Sequence, residues 1–160
     1  MRHPAHSFKR GLAALALIGL SFSALAETTV KDAWVRATVP HQQSTGAFMT
    51  LTASSDSKLV DVQSPVAKIV QVHQMTMNND VMGMKQVHSV DLPAGKAVSL
   101  DPNGYHVMLM QLNGQIKEGE QVPLTLVIED AKGQKQNIEV KAPVRALNAE
   151  AMHGGHEHMH

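Results

Sequence analysis

Hydrophobic and polar residues alternate in short runs along most of the chain after residue 28. The runs are rich in β-branched residues, as in 30–38 and 105–112, and strict alternation is the pattern of a strand that buries one face. No long run repeats its apolar positions with the period of a helix. We predict nine strands, over residues 30–38, 46–53, 58–64, 67–75, 83–90, 97–100, 105–112, 121–129 and 134–141.

The breaks between these runs consist of residues that favour turns. Asn78-Asn79-Asp80, Pro93-Ala94-Gly95 and Asp101-Pro102-Asn103-Gly104 are examples, and each combines residues that tolerate or require turn backbone conformations. Many short strands without helices between them predict an all-β domain, either an antiparallel sandwich or a small Greek-key barrel. Trp34 and Phe48 are expected to help fill its core.

The first 26 residues have the organisation of a secretory signal peptide. Lys9 and Arg10 precede an apolar run, which ends before the small-residue pattern Ala24-Leu25-Ala26. The run is shorter than the roughly 20 apolar residues that a membrane-spanning helix needs, and no Cys stands at the predicted cleavage point to carry a lipid. We therefore expect cleavage, export to the periplasm and no stable membrane insertion of the mature protein.

The mature chain has the size of one domain, which we assign to residues 27–145 and which is followed by a tail over 146–160. It keeps 11 basic and 14 acidic side chains, a net charge of −3 with His neutral. Without a basic block it offers no electrostatic surface for nucleic acid. The sequence contains no Cys, but ten His and ten Met, more than packing requires.

His106 and Met108 lie two positions apart in a predicted strand. Side chains at i and i+2 leave the same face of a strand, so these two are neighbours while Val107 and Leu109 point into the core. A large thioether on an outer face gains little from contact with water. The pair therefore indicates a binding site on that face.

A second His and Met pair flanks the Asn-rich turn. His73 lies near the end of one predicted strand and Met84 near the start of the next, so a hairpin brings them to the same end of the sheet. The turn before Tyr105 can deliver His106 there as well. Two imidazoles and two thioethers, all uncharged, could then converge on one ion.

Such a donor set favours Cu(I). Thioether sulfur is soft and suits Cu(I), whereas Zn(II), Mg(II) and Ca(II) prefer harder or anionic donors. In an oxidising compartment, thioethers also cannot close to a disulfide as a dithiol site would. Blue-copper electron transfer needs a Cys thiolate, which the sequence lacks. The sequence has no catalytic triad signature, phosphate loop or HExxH motif, and we do not expect an enzyme.

The spacing of these four residues is H-x10-M-x21-H-x-M, which resembles the signature of the periplasmic PCuAC copper chaperones. The resemblance extends over roughly residues 28–140. It implies a cupredoxin-like β-sandwich that binds Cu(I) through His73, Met84, His106 and Met108. It also implies delivery to the binuclear copper centre in subunit II of a respiratory oxidase, in some cases together with a Sco-type thiol protein. Within this range, the segments that also resemble the family are 72–77, 92–95, 104–110 and 112–126.

The last residues form a His/Met-rich tract that resembles a C-terminal extension of some family members, for which Cu(II) binding is proposed. Such tracts commonly bind metal; the weaker alternative is an inert solvated end. A copper buffer that relies on this tail, used in copper tolerance, is therefore the alternative function. The candidate tail ligands are Met152, His153, His156, His158, Met159 and His160.

Other Met and His residues have simpler expected roles. Met75, Met77, Met82 and Met110 share faces with the four candidate ligands; we expect them to pack at the rim, with a ligand role left open. The isolated residues His41 and His88 are expected at the surface, and Met49 is expected in the core.

Overall fold

A computed structural model describes residues 27–146 of the chain, and within this range the secondary structure consists of strands without an α-helix. The predicted all-β class is confirmed. The predicted signal peptide and residues 147–160 of the predicted tail lie outside the described range. The ten strands are β1 (Thr28–Arg36), β2 (Ser44–Ala53), β3 (Ser57–Gln63), β4 (Ala67–Asn78), β5 (Val81–Val87), β6 (Val90–Leu92), β7 (Ala97–Leu100), β8 (Tyr105–Leu112), β9 (Gln121–Asp130) and β10 (Lys135–Arg145).

The strands are hydrogen-bonded in the order β5-β4-β8-β7-β2-β1-β10-β9-β3-β6, with an additional pairing of β8 with β2. One layer contains the strands from β5 to β1 in this order, and the other contains those from β10 to β6. Strand β10 connects the two layers, because it also pairs with β1. It is antiparallel to β9 along most of its length, and its last residues pair in parallel with β1 through Val35 and Val144. The short contact of Leu100 with Tyr105 between β7 and β8 is also parallel, so the sandwich is not purely antiparallel.

The core between the two layers is made of aliphatic side chains. Leu51 and Leu109 from the first layer and Leu124 and Leu126 from the second have no exposed surface. Burial of this kind stabilises the fold by about 25 cal/mol for each Å² of apolar surface removed from water. Because alternate residues of β8 fill this core, the remaining residues of that strand face away from it.

Trp34 and Phe48 are buried core residues, as predicted, but they do not pack with the aliphatic residues between the two layers. They form a separate cluster on the outer face of the first layer, with ring centroids 4.7 Å apart. The alternation of β2 is the reason, since Ala47 and Met49 occupy the inward positions and Phe48 must then point outward. The aromatic pair therefore lies on the face that carries His106 and Met108.

Several strand boundaries also differ from the sequence prediction, and two of the differences affect the topology or the end of the sheet. The predicted strand over residues 83–90 is two strands, because the chain leaves β5 after Val87 and re-enters the other layer as β6 at Val90. Strand β10 continues past Pro143, where the apolar pattern ends, because that residue still pairs with Gln121. Within residues 27–146 no helix has the length and apolar character needed to cross a bilayer.

Candidate metal site

His73 of β4 and His106 of β8 stand directly opposite each other in an antiparallel pair. Their rings meet edge to face, with centroids 6.2 Å apart and planes inclined by 68°. Both point away from the core because Val72 and Val107, their neighbours in sequence, are buried in it. His106 is itself only 5% exposed, so this imidazole is much more enclosed than a typical residue on an outer sheet face.

The two imidazoles share an unusual feature, since Nδ1 of each is buried and has no hydrogen-bond partner among the described residues. A buried polar atom without a partner normally costs about 1–3 kcal/mol, and most native structures avoid it. Nε2 of His73 donates a hydrogen bond of 2.9 Å to Oε1 of Gln71. An amide oxygen only accepts, so in the neutral ring of His73 the lone pair is on Nδ1. A metal ligand uses its ring in this way.

Burial lowers the pKa of His106 below its usual value of 6.5. The nearby His73 and the Arg36 guanidinium lower the pKa further, while a backbone hydrogen bond with Gly104 and the carboxylate of Asp101 act in the opposite direction. The imidazole of His106 is therefore neutral at neutral pH. A neutral ring has a nitrogen lone pair available for a metal.

The sulfur residues lie on the same face as the imidazoles. Met84 of β5 stands opposite Met75, which is two positions from His73 on β4. Met108 is two positions from His106 on β8. Met75, Met84, His106 and Met108 all line one cleft of about 270 Å³. The four residues of the predicted ligand set therefore occupy neighbouring positions on three adjacent strands. His73 is next to the cleft, because its ring contacts the ring of His106.

The floor of this cleft depends on a glycine. Gly46 of β2 pairs with Met108, and a Cβ atom at Gly46 would lie 2.6 Å from Cζ of Phe48. Because only hydrogen stands there, the Phe48 ring can lie across the sheet beside the sulfur residues. The Arg36 guanidinium covers the same ring, 5.2 Å from its centroid, as expected for a cation–π contact.

The spacing of the His73 and His106 rings suits two imidazoles on one metal ion. A ring nitrogen about 2.0 Å from a metal puts the ring centroid about 3 Å from it, so two rings on one ion have centroids about 5–6 Å apart. The observed 6.2 Å needs only a small closure. In the described part of the chain, no three His, Cys, Asp or Glu residues are grouped so that they could hold an ion.

A larger cleft of about 720 Å³ lies at the far end of the sandwich, between Asp56, Asp91, Glu129 and Lys132 among others. Its side chains carry mixed charges and it contains neither His nor Met. The chemistry therefore favours the smaller cleft as the functional site.

The remaining predictions for His and Met residues have different outcomes. His41 and His88 are exposed and Met49 is buried at 3%, as predicted. Met75 lines the cleft beside Met84, His106 and Met108. Met110 is partly buried opposite Ser44. The six candidate tail ligands lie outside the described residues.

Sequence reasoning did not identify Gln71, Phe48 and Arg36 as site residues. For Gln71 a signal existed, because it lies two positions before His73 and so shares its face. Phe48 and Arg36 carried no such signal, since only the pairing of β2 with β8 brings this part of the chain beside Met108.

Solved structures of PCuAC domains have the same fold. The solution structure of CuI-DR1885 from Deinococcus radiodurans is 33% identical, with a TM-score of 0.58 over 76% of this chain and 81% of that chain. The copper-bound PCuAC domain from PmoF2 is 22% identical, with a TM-score of 0.59 over 74% of this chain and 92% of that domain. The fold and the arrangement of His and Met residues thus define a protein of the PCuAC type, with a cupredoxin-like sandwich.

A family model described as "Putative lipoprotein LpqE-like" matches residues 28–144, and the chain belongs to this LpqE-like family. It is also 28% identical over 113 residues to "Putative lipoprotein Lxx21020" of Leifsonia xyli subsp. xyli (strain CTCB07), a match that covers 70% of this chain and 68% of that protein.

Proposed function

We propose that this protein is an exported copper chaperone that binds one Cu(I) through His73, Met84, His106 and Met108 and passes it to another protein. The observation that carries the proposal is the pair of buried Nδ1 atoms without hydrogen-bond partners on a sheet face shared with thioethers. The likeness to CuI-DR1885, whose name specifies Cu(I), supports the same ion.

The exposure of the four residues suits transfer as well as binding. His106 is enclosed, whereas Met84 is 54% exposed, so an incoming ligand can reach the ion from the Met84 side. Uncharged donors hold Cu(I) without the strong attraction of a thiolate. We infer that the acceptor replaces Met84 first and the imidazoles last, so that the ion is never released into water.

For the cell biology we propose cleavage of residues 1–26, a mature domain over 27–145 and a location in the periplasm. The lipoprotein names of the family and of the Leifsonia relative support export, although no Cys stands at our proposed cleavage point. The proposed acceptor is subunit II of a respiratory oxidase or a Sco-type thiol protein. Such a role is transport of an ion, not catalysis.

Copper titration of the full chain tests the site. We expect one tightly bound Cu(I) in the folded domain, with two sulfur neighbours by X-ray absorption. Met84→Leu and Met108→Leu should each weaken binding about tenfold or more, which corresponds to at least about 1.4 kcal/mol. Met110→Leu is the matched control, because it removes a thioether from the same strand and face. Only nitrogen neighbours, or unchanged affinity in both variants, would contradict the proposal.

The composition of residues 152–160 favours a second candidate, a copper buffer that uses the tail, including Cu(II) at its imidazoles. Six of these nine residues are His or Met. Deletion of residues 152–160 separates the two functions. A buffer loses most of its total copper capacity and its effect on tolerance, whereas a chaperone still supports oxidase assembly.

A further inference from the structure

The hairpin of β4 and β5 extends beyond the candidate site and ends in two methionines that face water. Met77 and Met82 stand directly opposite each other, and they are 62% and 60% exposed. Of the five large apolar side chains that are exposed within residues 27–146, four lie on this hairpin. Exposed thioethers of this size gain nothing from water, so their presence in a fixed pair calls for a chemical reason.

The hairpin geometry fixes this pairing. Asn79 and Asp80 form a two-residue turn with φ of 50° and 66°. Both values are in the left-handed region, as a type I′ turn requires, and such turns match the twist of the strands they join. The register of the strands next to the turn is therefore firmly set, and Met77 and Met82 cannot slip apart.

The exposed pair continues the arrangement of the candidate site. Met75 and Met84 form the next cross-strand pair on the same face, and His73 lies two residues further along β4. Successive positions on one face of a strand are about 6.6 Å apart. Thioether pairs thus lead in two steps of this length from the end of the hairpin to the imidazoles.

We propose that Met77 and Met82 form a second, weaker site for Cu(I), through which the ion enters and leaves the four-ligand site by way of Met75 and Met84. This inference rests on the proposed function. Opposite residues of an antiparallel pair have Cβ atoms about 4.5–5.5 Å apart. Flexible Met side chains at this separation can place both sulfurs on one soft ion at the usual metal–sulfur distance of about 2.3 Å.

Movement between the sites is ligand exchange without a change of oxidation state. Each step forms a new copper–ligand bond, to a thioether sulfur or, at the inner site, to an imidazole nitrogen, as a copper–sulfur bond to the outer pair breaks; the ion remains Cu(I) throughout and no proton is transferred. Two thioethers in contact with water bind more weakly than four ligands around a cleft. The ion therefore rests at the inner site and visits the outer one during loading and release.

The test uses the full chain with 13C-labelled Met methyl groups and Ag(I), a soft monovalent ion that does not change oxidation state, as the probe. The first equivalent should shift the methyl signals of Met84 and Met108. Further Ag(I) should shift those of Met77 and Met82 together. The titration is repeated on the chain without residues 152–160, which removes the His and Met residues of the tail as competing ligands.

The double variant Met77→Leu/Met82→Leu keeps the apolar surface but removes both sulfurs. We expect its affinity for the first Cu(I) to stay within about twofold of the wild type, because the inner ligands are intact. Release of Cu(I) to a small water-soluble chelator should be slowed several-fold. Met110→Leu again provides the matched control, with the wild-type release rate.

This inference would be overturned if the double variant releases Cu(I) at the wild-type rate and the methyl signals of Met77 and Met82 in the wild type do not respond to Ag(I). Met84→Leu then distinguishes the two proposals, because a loss of affinity in that variant retains the chaperone function while unchanged affinity removes it. A third outcome is that Met77→Leu/Met82→Leu behaves as the wild type and only Met77→Ser/Met82→Ser impairs delivery to a protein acceptor. The end of the hairpin is then an apolar contact surface, and the proposal of a second copper site is wrong.

Discussion

Gln71 and His73 lie on the same face of β4, and Nε2 of His73 donates a 2.9 Å hydrogen bond to Oε1 of Gln71. This bond sets the ring orientation and leaves the lone pair on the buried Nδ1. Gln71 also stands opposite Met108, so one side chain contacts an imidazole and borders a thioether of the proposed ligand set. We therefore predict that Gln71 acts as a positioning residue for the proposed copper site.

Replacement of Gln71 by Leu should weaken Cu(I) binding about 10–100-fold, the usual loss when a hydrogen-bond partner of a ligating His is removed. The ring of His73 then loses its fixed orientation and proton position. Competition with a Cu(I) chelator of known affinity measures the effect. Gln74→Leu removes an amide from the opposite face of the same strand and should bind like the wild type. Equal affinity of the Gln71 variant would show that this hydrogen bond has no part in the site.

Gly46→Ala should destabilise the fold by about 1–3 kcal/mol, since the new methyl group requires the Phe48 ring to move. Displacement of that ring reshapes the cleft beside Met108, so Cu(I) affinity should also fall. Urea unfolding and chelator competition measure the two effects. Gly114→Ala is a suitable control, because a Cβ atom there meets no described atom within 4 Å. A stable Gly46 variant would mean that the ring adapts without cost.

The apo protein should lose stability as the pH falls through the folded-state pKa of His106. Burial lowers this pKa in the folded state, whereas the unfolded chain has an ordinary value near 6.5. The unfolded state therefore binds the proton more readily, and the contribution to stability is present above about pH 6.5 and is lost in acid. Urea midpoints between pH 7 and 5 and an NMR titration of the ring measure it. His106→Gln should flatten this dependence; a ring that titrates above 6.5 would contradict it.

Mild peroxide should oxidise the methionines in the order of their exposure. Met77, Met82 and Met84 are 54–62% exposed, whereas Met49 is 3% exposed, so the first three should become sulfoxides well before Met49. A sulfoxide loses the soft sulfur donor, and Cu(I) binding should fall until methionine sulfoxide reductase restores the thioether. Peptide mass spectrometry with and without Ag(I), a soft ion that peroxide does not oxidise, checks this, and the bound ion should protect Met84 in particular. Equal oxidation of Met84 in both samples would argue against its role as a ligand.

The sequence alone could predict which side chains share a face. Alternation with period two places Val107 and Leu109 in the core, and His106 and Met108 opposite them. The Asn-rich turn predicts the hairpin that brings Met84 next to the strand of His73. These features are local, because strand geometry and turn conformation depend on residues close together in the chain.

Only the tertiary structure decided which strands lie side by side. The pairing of β4 with β8 puts His73 against His106, and the pairing of β2 with β8 puts Gly46 and the Phe48 ring beside Met108. The parallel contact of β1 with β10 and the break between β5 and β6 were likewise not predictable. Pairing of distant strands depends on the packing of the whole core, which no short stretch of sequence encodes.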